Sequence, residues 1–449
     1  MKHTILIISA VLWLSGCGVY KPYSRPEVEI EGLYRDIQAE DTVTLASLSW
    51  RELFTDPQLQ ALIETGLEQN TDLRIARLRV EEAEAVLQNA RLSYLPSVSL
   101  TPEGGVSCHD GTTVKTYNLG TSANWEIDIF GKVTNARRGA RAALESSRAY
   151  GQAVQTRLVA TVATSYYTLL MLDRQLTIRN RTLVTWEKSV KVLEALKRAG
   201  KSNDAAVLQA RANCMALESS VLALHQSIHE TENALSVLLA MSPSAIERGT
   251  LEGQRFSEEV SVGVPLHLLA NRPDVRQAEY NLAQAFYAVN AARATFYPNL
   301  TLSGSLGWTN NGGAVTNPAA WLANAVGSLV QPFFNRGTNC ANLKIAKARQ
   351  EEATLLFRQS LLDAGKEVND ALTAWHTARG RVEIAGSQVA ALREAVRKTE
   401  LLMRHSPTTY LEVLTAQQSL LEAEILQSQA YFERIQSIIK LYHALGGGV

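Results

Sequence analysis

Residues 368–396 read VNDALTAWHTARGRVEIAGSQVAALREAV, with apolar and small residues at Val368, Leu372, Trp375, Ala378, Val382, Ala385, Val389, Leu392 and Val396. Steps of mostly three and four hold these side chains on one narrow helical stripe, the pattern of a coiled-coil seam. The stripe continues to Met403, and no proline interrupts the chain between Pro332 and Pro407, so the spacing predicts one helix over Thr338 to Met403. At about 1.5 Å per residue such a rod is on the order of 100 Å long, far beyond the ~30 Å hydrocarbon core of a bilayer. A matching run lies in the first half, Thr134 to Arg198, with Leu158, Val162, Leu169, Leu172, Leu176, Leu183, Trp186, Val190 and Leu193 in the same register.

Each rod is followed by a turn and a return helix. After Ala199 to Asn203 the seam reads Val207, Ala210, Cys214, Leu217, Val221, Leu224, Ile228, Leu235 and Leu238; after His405 to Thr408 it reads Leu411, Leu414, Leu421, Ile425, Phe432, Ile435, Ile439 and Tyr442. Ahead of the rods the period changes. From Pro96, Val98 and Leu100 alternate with Ser97, Ser99 and Thr101; a Gly-rich turn region follows, and then Tyr117, Leu119, Thr121, Ala123, Trp125, Ile127 and Ile129 alternate with Asn118, Gly120, Ser122, Asn124, Glu126 and Asp128. Leu300, Leu302, Leu306 and Trp308 alternate in the same way, and a fourth strand is expected around Ala323 to Phe334. One apolar face and one polar face suit a strand between lipid and water, and also a half-buried strand of a soluble sheet.

The halves correspond. Asp72-Leu73-Arg74 matches Asp274-Val275-Arg276, Ala90-Arg91 matches Ala292-Arg293 and Pro96 matches Pro298, all at one constant offset. The chain reads as a duplication of helix, hairpin, long helix and return helix. The segments are a signal peptide over 1–16, a lipid-anchored extended stretch over 17–49, a first repeat over 50–241 with its hairpin at about 96–130, a connector over 242–270, and a second repeat over 271–449 with its hairpin at about 298–334. Within the first repeat, Trp50 to Asn70 is expected as a short amphipathic helix, with Asp56-Pro57 as a cap and first-turn pair.

The 449 residues carry 44 basic and 44 acidic side chains, so nothing points to nucleic acid. Lys2 and His3 precede the apolar run Ile5 to Leu14 and then Leu14-Ser15-Gly16-Cys17, which reads as a signal peptide ending in a lipoprotein-like box; the alternative is an ordinary cleaved signal with a chance cysteine. In the first reading Cys17 becomes the acylated first residue, carrying diacylglycerol and an N-acyl chain, and no other cofactor is expected. Cys214 on a seam and Cys340 at a helix start are read as small buried apolar residues. No P-loop, nucleotide fingerprint, HExxH or nucleophile elbow occurs, which leaves an enzyme reading without support.

Four strands are too few to close a membrane barrel, which begins at about eight. An open sheet would leave backbone groups unpaired in lipid at several kcal/mol each, so several copies must share one barrel.

Several ordered blocks carry a family resemblance: Tyr20-Lys21-Pro22-Tyr23-Ser24-Arg25-Pro26, Trp50 to Leu59, Trp125-Glu126-Ile127-Asp128-Ile129-Phe130-Gly131, Asn271-Arg272-Pro273-Asp274-Val275-Arg276 and Tyr297-Pro298-Asn299-Leu300. Over nearly the whole mature chain they resemble the TolC-like outer-membrane factor family, in its lipoprotein branch serving resistance-nodulation-division efflux pumps. The resemblance implies a mainly α fold with a membrane β-barrel: a homotrimer with a twelve-stranded barrel and a periplasmic α-barrel, anchored in the outer membrane. It implies docking to a periplasmic adaptor (a membrane fusion protein) and an inner-membrane pump. In the same pattern Gly18, rather than Asp, after Cys17 goes with outer-membrane sorting.

At the two turns, Asp204 and Glu412 fall in the first turns of the return helices, near Lys201 and Arg404. Symmetry-repeated charge can close a pore, so these four are candidates for a periplasmic gate; plain capping of the helix N-termini by acids is the alternative. Tyr410-Leu411-Glu412-Val413-Leu414 resembles the family's second-half tip with Glu for the usual Asp, and Thr408 and Ser406-Pro407 stand where that family has basic and glycine residues. Glu126 and Asp128, on the polar strand face, either line a lumen or make interface hydrogen bonds. The reading is a passive exit duct for small molecules. Its alternatives are the exit channel of a protein-secretion system and a non-conducting coiled-coil lipoprotein. Five methionines without a Met-rich tract leave the cargo open.

Overall fold

The computed structural model describes residues 20–26, 49–254, 256, 272–310, 321–405 and 410–447. The signal segment 1–16, Cys17, most of 17–49 and of the connector, and the second turn 406–409 lie outside these residues.

Short helices open the first repeat. α1 (Trp50–Leu53) starts in a capping box, Ser49 accepting from the Glu52 amide and Glu52 from that of Ser49. α2 (Pro57–Gln69) starts at Asp56, whose Oδ1 accepts from the Gln58 amide at 2.9 Å. The single helix expected over Trp50 to Asn70 is therefore two, because an Asp cap followed by proline restarts a helix and cannot continue one. α3 (Thr71–Leu92) follows.

β1 (Ser97–His109) and β2 (Thr112–Ile127) form a hairpin closed by Asp110 and Gly111, at φ 48° and 76°. Two residues of positive φ make a turn whose twist matches that of the strands. Gly104 and Gly105, expected in a turn region, instead lie inside β1 opposite Tyr117 and Thr116. α4 (Lys132–Arg198, 67 residues) and α5 (Asp204–Leu238, 35 residues) follow. The second repeat runs α6 (Pro273–Ala294), β3 (Asn299–Thr309), β4 (Trp321–Val330), α7 (Thr338–His405, 68 residues) and α8 (Tyr410–Ala444, 35 residues). The matched lengths of rods and return helices express the duplication. β4 begins and ends before its expected limits; Pro332, without an N–H, stands just beyond its end and Phe333 and Phe334 are fully exposed.

The described residues form two compact units, each drawn from both repeats: 20–26, 78–149 and the described part of 276–360 in one, 49–77, the described part of 150–275 and that of 361–447 in the other. The first contains the sheet, in the order β1-β2-β3-β4, every neighbouring pair antiparallel. The second contains the aromatic core in which Phe54 meets Tyr167 and Tyr442, together with the apolar seams. The expected seam positions are buried or half-buried from Leu158 to Leu193, Val207 to Leu238 and Val368 to Met403. Leu411 is the exception, 62% exposed at the start of α8. Cys214 is buried as expected, but Cys340 and Cys108 are exposed and all three are free thiols, since the first turn of α7 presents Cys340 away from any seam.

Candidate functional site

The strand register sorts the sheet by chemistry. Residues directly opposite in antiparallel strands share a face. Leu100, Thr121 and Leu306 form one such row; Trp125 and Leu302 form another; Ile127, Leu300 and Leu329 a third. The opposite face has the rows Ser99, Ser122 and Ser305, then Asn124 and Ser303, then Glu126, Thr301 and Ser328. Ser99 and Ser122 share a hydrogen bond at 2.8 Å, and Ser303 donates to Asn124 at 2.9 Å. Trp308 and the Trp125–Leu302 row lie about 20 Å apart along the strand at ~3.4 Å per residue, the scale of the roughly 25 Å apolar band between the aromatic girdles of an outer-membrane barrel. β2 and β3 approach closely where Gly307 crosses the Leu119–Gly120 backbone: a Cβ there would sit 2.4 Å from the Leu119 oxygen. Among the described residues, β1 and β4 each pair on one side only.

Below β2 the two candidate acids take different roles. Asp128 accepts from the Val133 and Thr134 amides at 2.9 and 2.7 Å and so caps α4, while Glu126 pairs with Lys132 at 2.9 Å.

At the first helical turn, Gly200 (φ 70°) reverses the chain, and the Lys201 amide bonds the Leu196 carbonyl in a Schellman-type closure. The cap of α5 is Asn203, whose Oδ1 accepts from Ala206. Asp204 pairs with Lys197 at 2.5 Å, and Glu194 with Arg211 at 2.6 Å. Lys201 is exposed and takes no part in either pair. Leu193, Val207, Ala210 and Leu414 pack together beneath the turn and join the two helix pairs. Glu412, in the first turn of α8, is exposed and has no ion pair among the described residues. The Arg404 side chain lies outside the described residues.

The model of the outer membrane efflux protein family matches residues 62–241 and 264–447. The chain belongs to that family. It is similar to the cation efflux system protein CusC of Escherichia coli O6:H1, 29% identical with 99% of this chain and 98% of the relative covered. It is likewise similar to the solvent efflux pump outer membrane protein SrpC of Pseudomonas putida, 27% identical over 100% and 99% of the two chains. Among solved structures, the open state of the MtrE outer membrane channel of Neisseria gonorrhoeae superposes with a TM-score of 0.86 at 28% identity, covering 96% of this chain and 98% of that one. The protein is an outer-membrane efflux channel, and the sorted sheet is its membrane section.

In this family member three ionic clamps that sequence periodicity did not reveal fix the helices of the second unit. Glu424 on α8, 5% exposed at its side chain, is bound by Arg181 of α4 and by Arg393 of α7 at 2.8 Å. Arg248 of the connector bonds Asp173 and Glu232, each at 2.5 Å, which drives its pKa upward through the Asp173 hydrogen bond. Arg272, 4% exposed, bonds Asp274 at 2.7 Å, Glu367 at 2.6 Å and the Ala444 carbonyl at 2.8 Å. Each includes a pairing remote in sequence, of which periodicity carries no trace; the available signals were Glu424 beside the seam residue Ile425 and the block containing Arg272 and Asp274.

Proposed function

We propose that three copies of this chain close a twelve-stranded barrel and form the exit duct of a tripartite efflux pump. The observation that carries this reading is a four-stranded sheet with one apolar and one polar face and two unpaired edges. In lipid an unpaired edge costs several kcal/mol per backbone group. An even number of alternating strands lets β4 of one copy pair antiparallel with β1 of the next, so a cyclic assembly leaves no edge. The polar face then lines the lumen and the helices form the periplasmic section.

The duct is passive: a periplasmic adaptor and an inner-membrane resistance-nodulation-division pump supply cargo and energy. The named relatives serve cations in one case and solvents in another, which supports small toxic solutes as the cargo class. Acylation of Cys17 adds a lipid anchor. At the periplasmic end Glu412 is the gating acid, because it is exposed and unpaired among the described residues, whereas Lys197 already neutralises Asp204.

Single-channel recording of the purified protein in a planar bilayer tests the duct, together with the sensitivity of a deletion strain to dyes, detergents, antibiotics and metals. Discrete conductance steps and a hypersensitive strain are expected. A monomer in detergent that gives no steps would overturn the reading in favour of a structural coiled-coil lipoprotein.

A further inference from the structure

In the unit that contains the sheet, a cavity of about 530 Å³ is lined by Arg91, Arg137, Arg138 and Arg141, with Tyr23, Tyr280 and Tyr287 around them. Two acids also line it, and each is engaged elsewhere: Glu145 by Arg148 at 3.3 Å and Glu279 by Arg25 at 3.5 Å. Arg91, Arg138 and Arg141 have no ion pair among the described residues, and Arg137 lies over the Tyr94 ring at 5.2 Å. The Tyr23 hydroxyl is shielded from solvent and has no hydrogen-bond partner among the described residues. Four arginines line this space against two acids, and each of those acids is already paired with an arginine outside the lining.

The cavity sits at the edge of the membrane section. Arg91 is in the last turn of α3, shortly before β1, and Arg137 lies in the second turn of α4, roughly 8 Å along the helix from its start near the end of β2. Headgroups occupy the few ångströms beyond the hydrocarbon on each side of a bilayer. Tyr20 of the N-terminal segment packs within about 3.5 Å of the Cβ position of Gly131, between β2 and α4. Tyr23 is held at the cavity by an edge-on contact with Phe286 at 5.7 Å.

We infer that this cavity binds the phosphate of an anionic membrane lipid from the periplasm-facing leaflet, through Arg91, Arg137, Arg138 and Arg141. Guanidinium groups match phosphate geometry and make charge-assisted bonds to it. The site rests on the membrane assignment of the sheet, but it is complete within one chain.

Native mass spectrometry of the detergent-solubilised full-length protein, titrated with phosphatidylglycerol, phosphatidylcholine and inorganic phosphate, tests it. Phosphatidylglycerol is expected to remain bound at lower concentration than phosphatidylcholine. Arg138→Gln with Arg141→Gln should weaken it by about tenfold or more, while Lys344→Gln on the exposed face of α7 leaves it unchanged. Equal retention of the two lipids, or undiminished phosphatidylglycerol binding in the double variant, would overturn the site. Inorganic phosphate displacing the lipid at equal concentration would also overturn it, by showing a free-phosphate site. Should the double variant not assemble, a rise in melting temperature of the wild type with phosphatidylglycerol and not with phosphatidylcholine decides the same question. A wild-type monomer would count against the barrel, and its lipid adducts would still report on the cavity.

Discussion

Lys197 and Asp204 face each other at 2.5 Å across the turn between α4 and α5, both largely exposed. The pair closes its own helical hairpin, so this acid is answered within its own half. At the corresponding place in the second half, Glu412 has no partner among the described residues. An exposed ion pair contributes about 0–1 kcal/mol. Asp204→Asn is therefore expected to leave melting temperature and single-channel conductance near wild type, whereas Glu412→Gln changes the open probability. Conductance that responds to Asp204 and not to Glu412 would contradict this assignment.

Neighbouring residues on β3 should answer oppositely to charge. Leu302 is on the apolar face opposite Trp125, and Ser303 is on the polar face bonded to Asn124. Leu302→Arg puts a cation against lipid at a cost of about 2–4 kcal/mol near mid-membrane, and Ser303→Arg puts it in the lumen. The first should prevent heat-stable trimers in detergent; the second should assemble and shift ion selectivity toward anions, read as a reversal-potential change. At Gly307 a methyl group would press on the β2 backbone, so Gly307→Ala should reduce barrel assembly, by about 1–3 kcal/mol if the strands part.

Glu424 is nearly buried and bound by arginines from two other helices. Charge-assisted hydrogen bonds contribute about 1.5–3 kcal/mol each, and the exposure of both guanidinium groups reduces this. Glu424→Ala is expected to destabilise by roughly 2 kcal/mol, measured as a lower melting temperature in circular dichroism. Glu422→Ala, at an exposed position nearby, should have little effect.

Burial holds the His443 imidazole below its usual pKa near 6.5, with Arg272 and Arg157 acting in the same direction against the pull of Glu367 and Asp274. A depressed folded-state pKa means that this contribution is present above about pH 6.5 and lost as pH falls through the lower folded value. Burial raises the Asp274 carboxyl, but the Arg272 hydrogen bond and charge outweigh it and hold the carboxyl below its ordinary value, so its contribution is lost only at more acidic pH. Melting temperature should be flat from pH 8 to 7 and decline toward pH 5. His443→Gln should remove the decline in the upper part of that range. An unchanged slope in the variant would show that another group titrates there.

The sequence by itself determined the elements and their sidedness. A seam repeat of three and four fixes which face of α4, α5, α7 and α8 is buried, and a period of two fixes which strand residues share a face, because backbone geometry sets both periods locally. The same logic misplaced Gly104 and Gly105: glycine marks turns by conformational freedom, but β1 passes through them and turns at Asp110 and Gly111, where both residues take positive φ. Only the tertiary structure decided the pairing of β2 with β3 across the two long helices α4 and α5, which brings two amphipathic hairpins into one sheet. It also decided that Asn203 rather than Asp204 caps α5, that Glu424 collects two arginines, and that four arginines surround one cavity. Such choices depend on which groups meet at a few ångströms after the chain has turned back on itself, and periodicity, a property of neighbours along one element, contains no record of them.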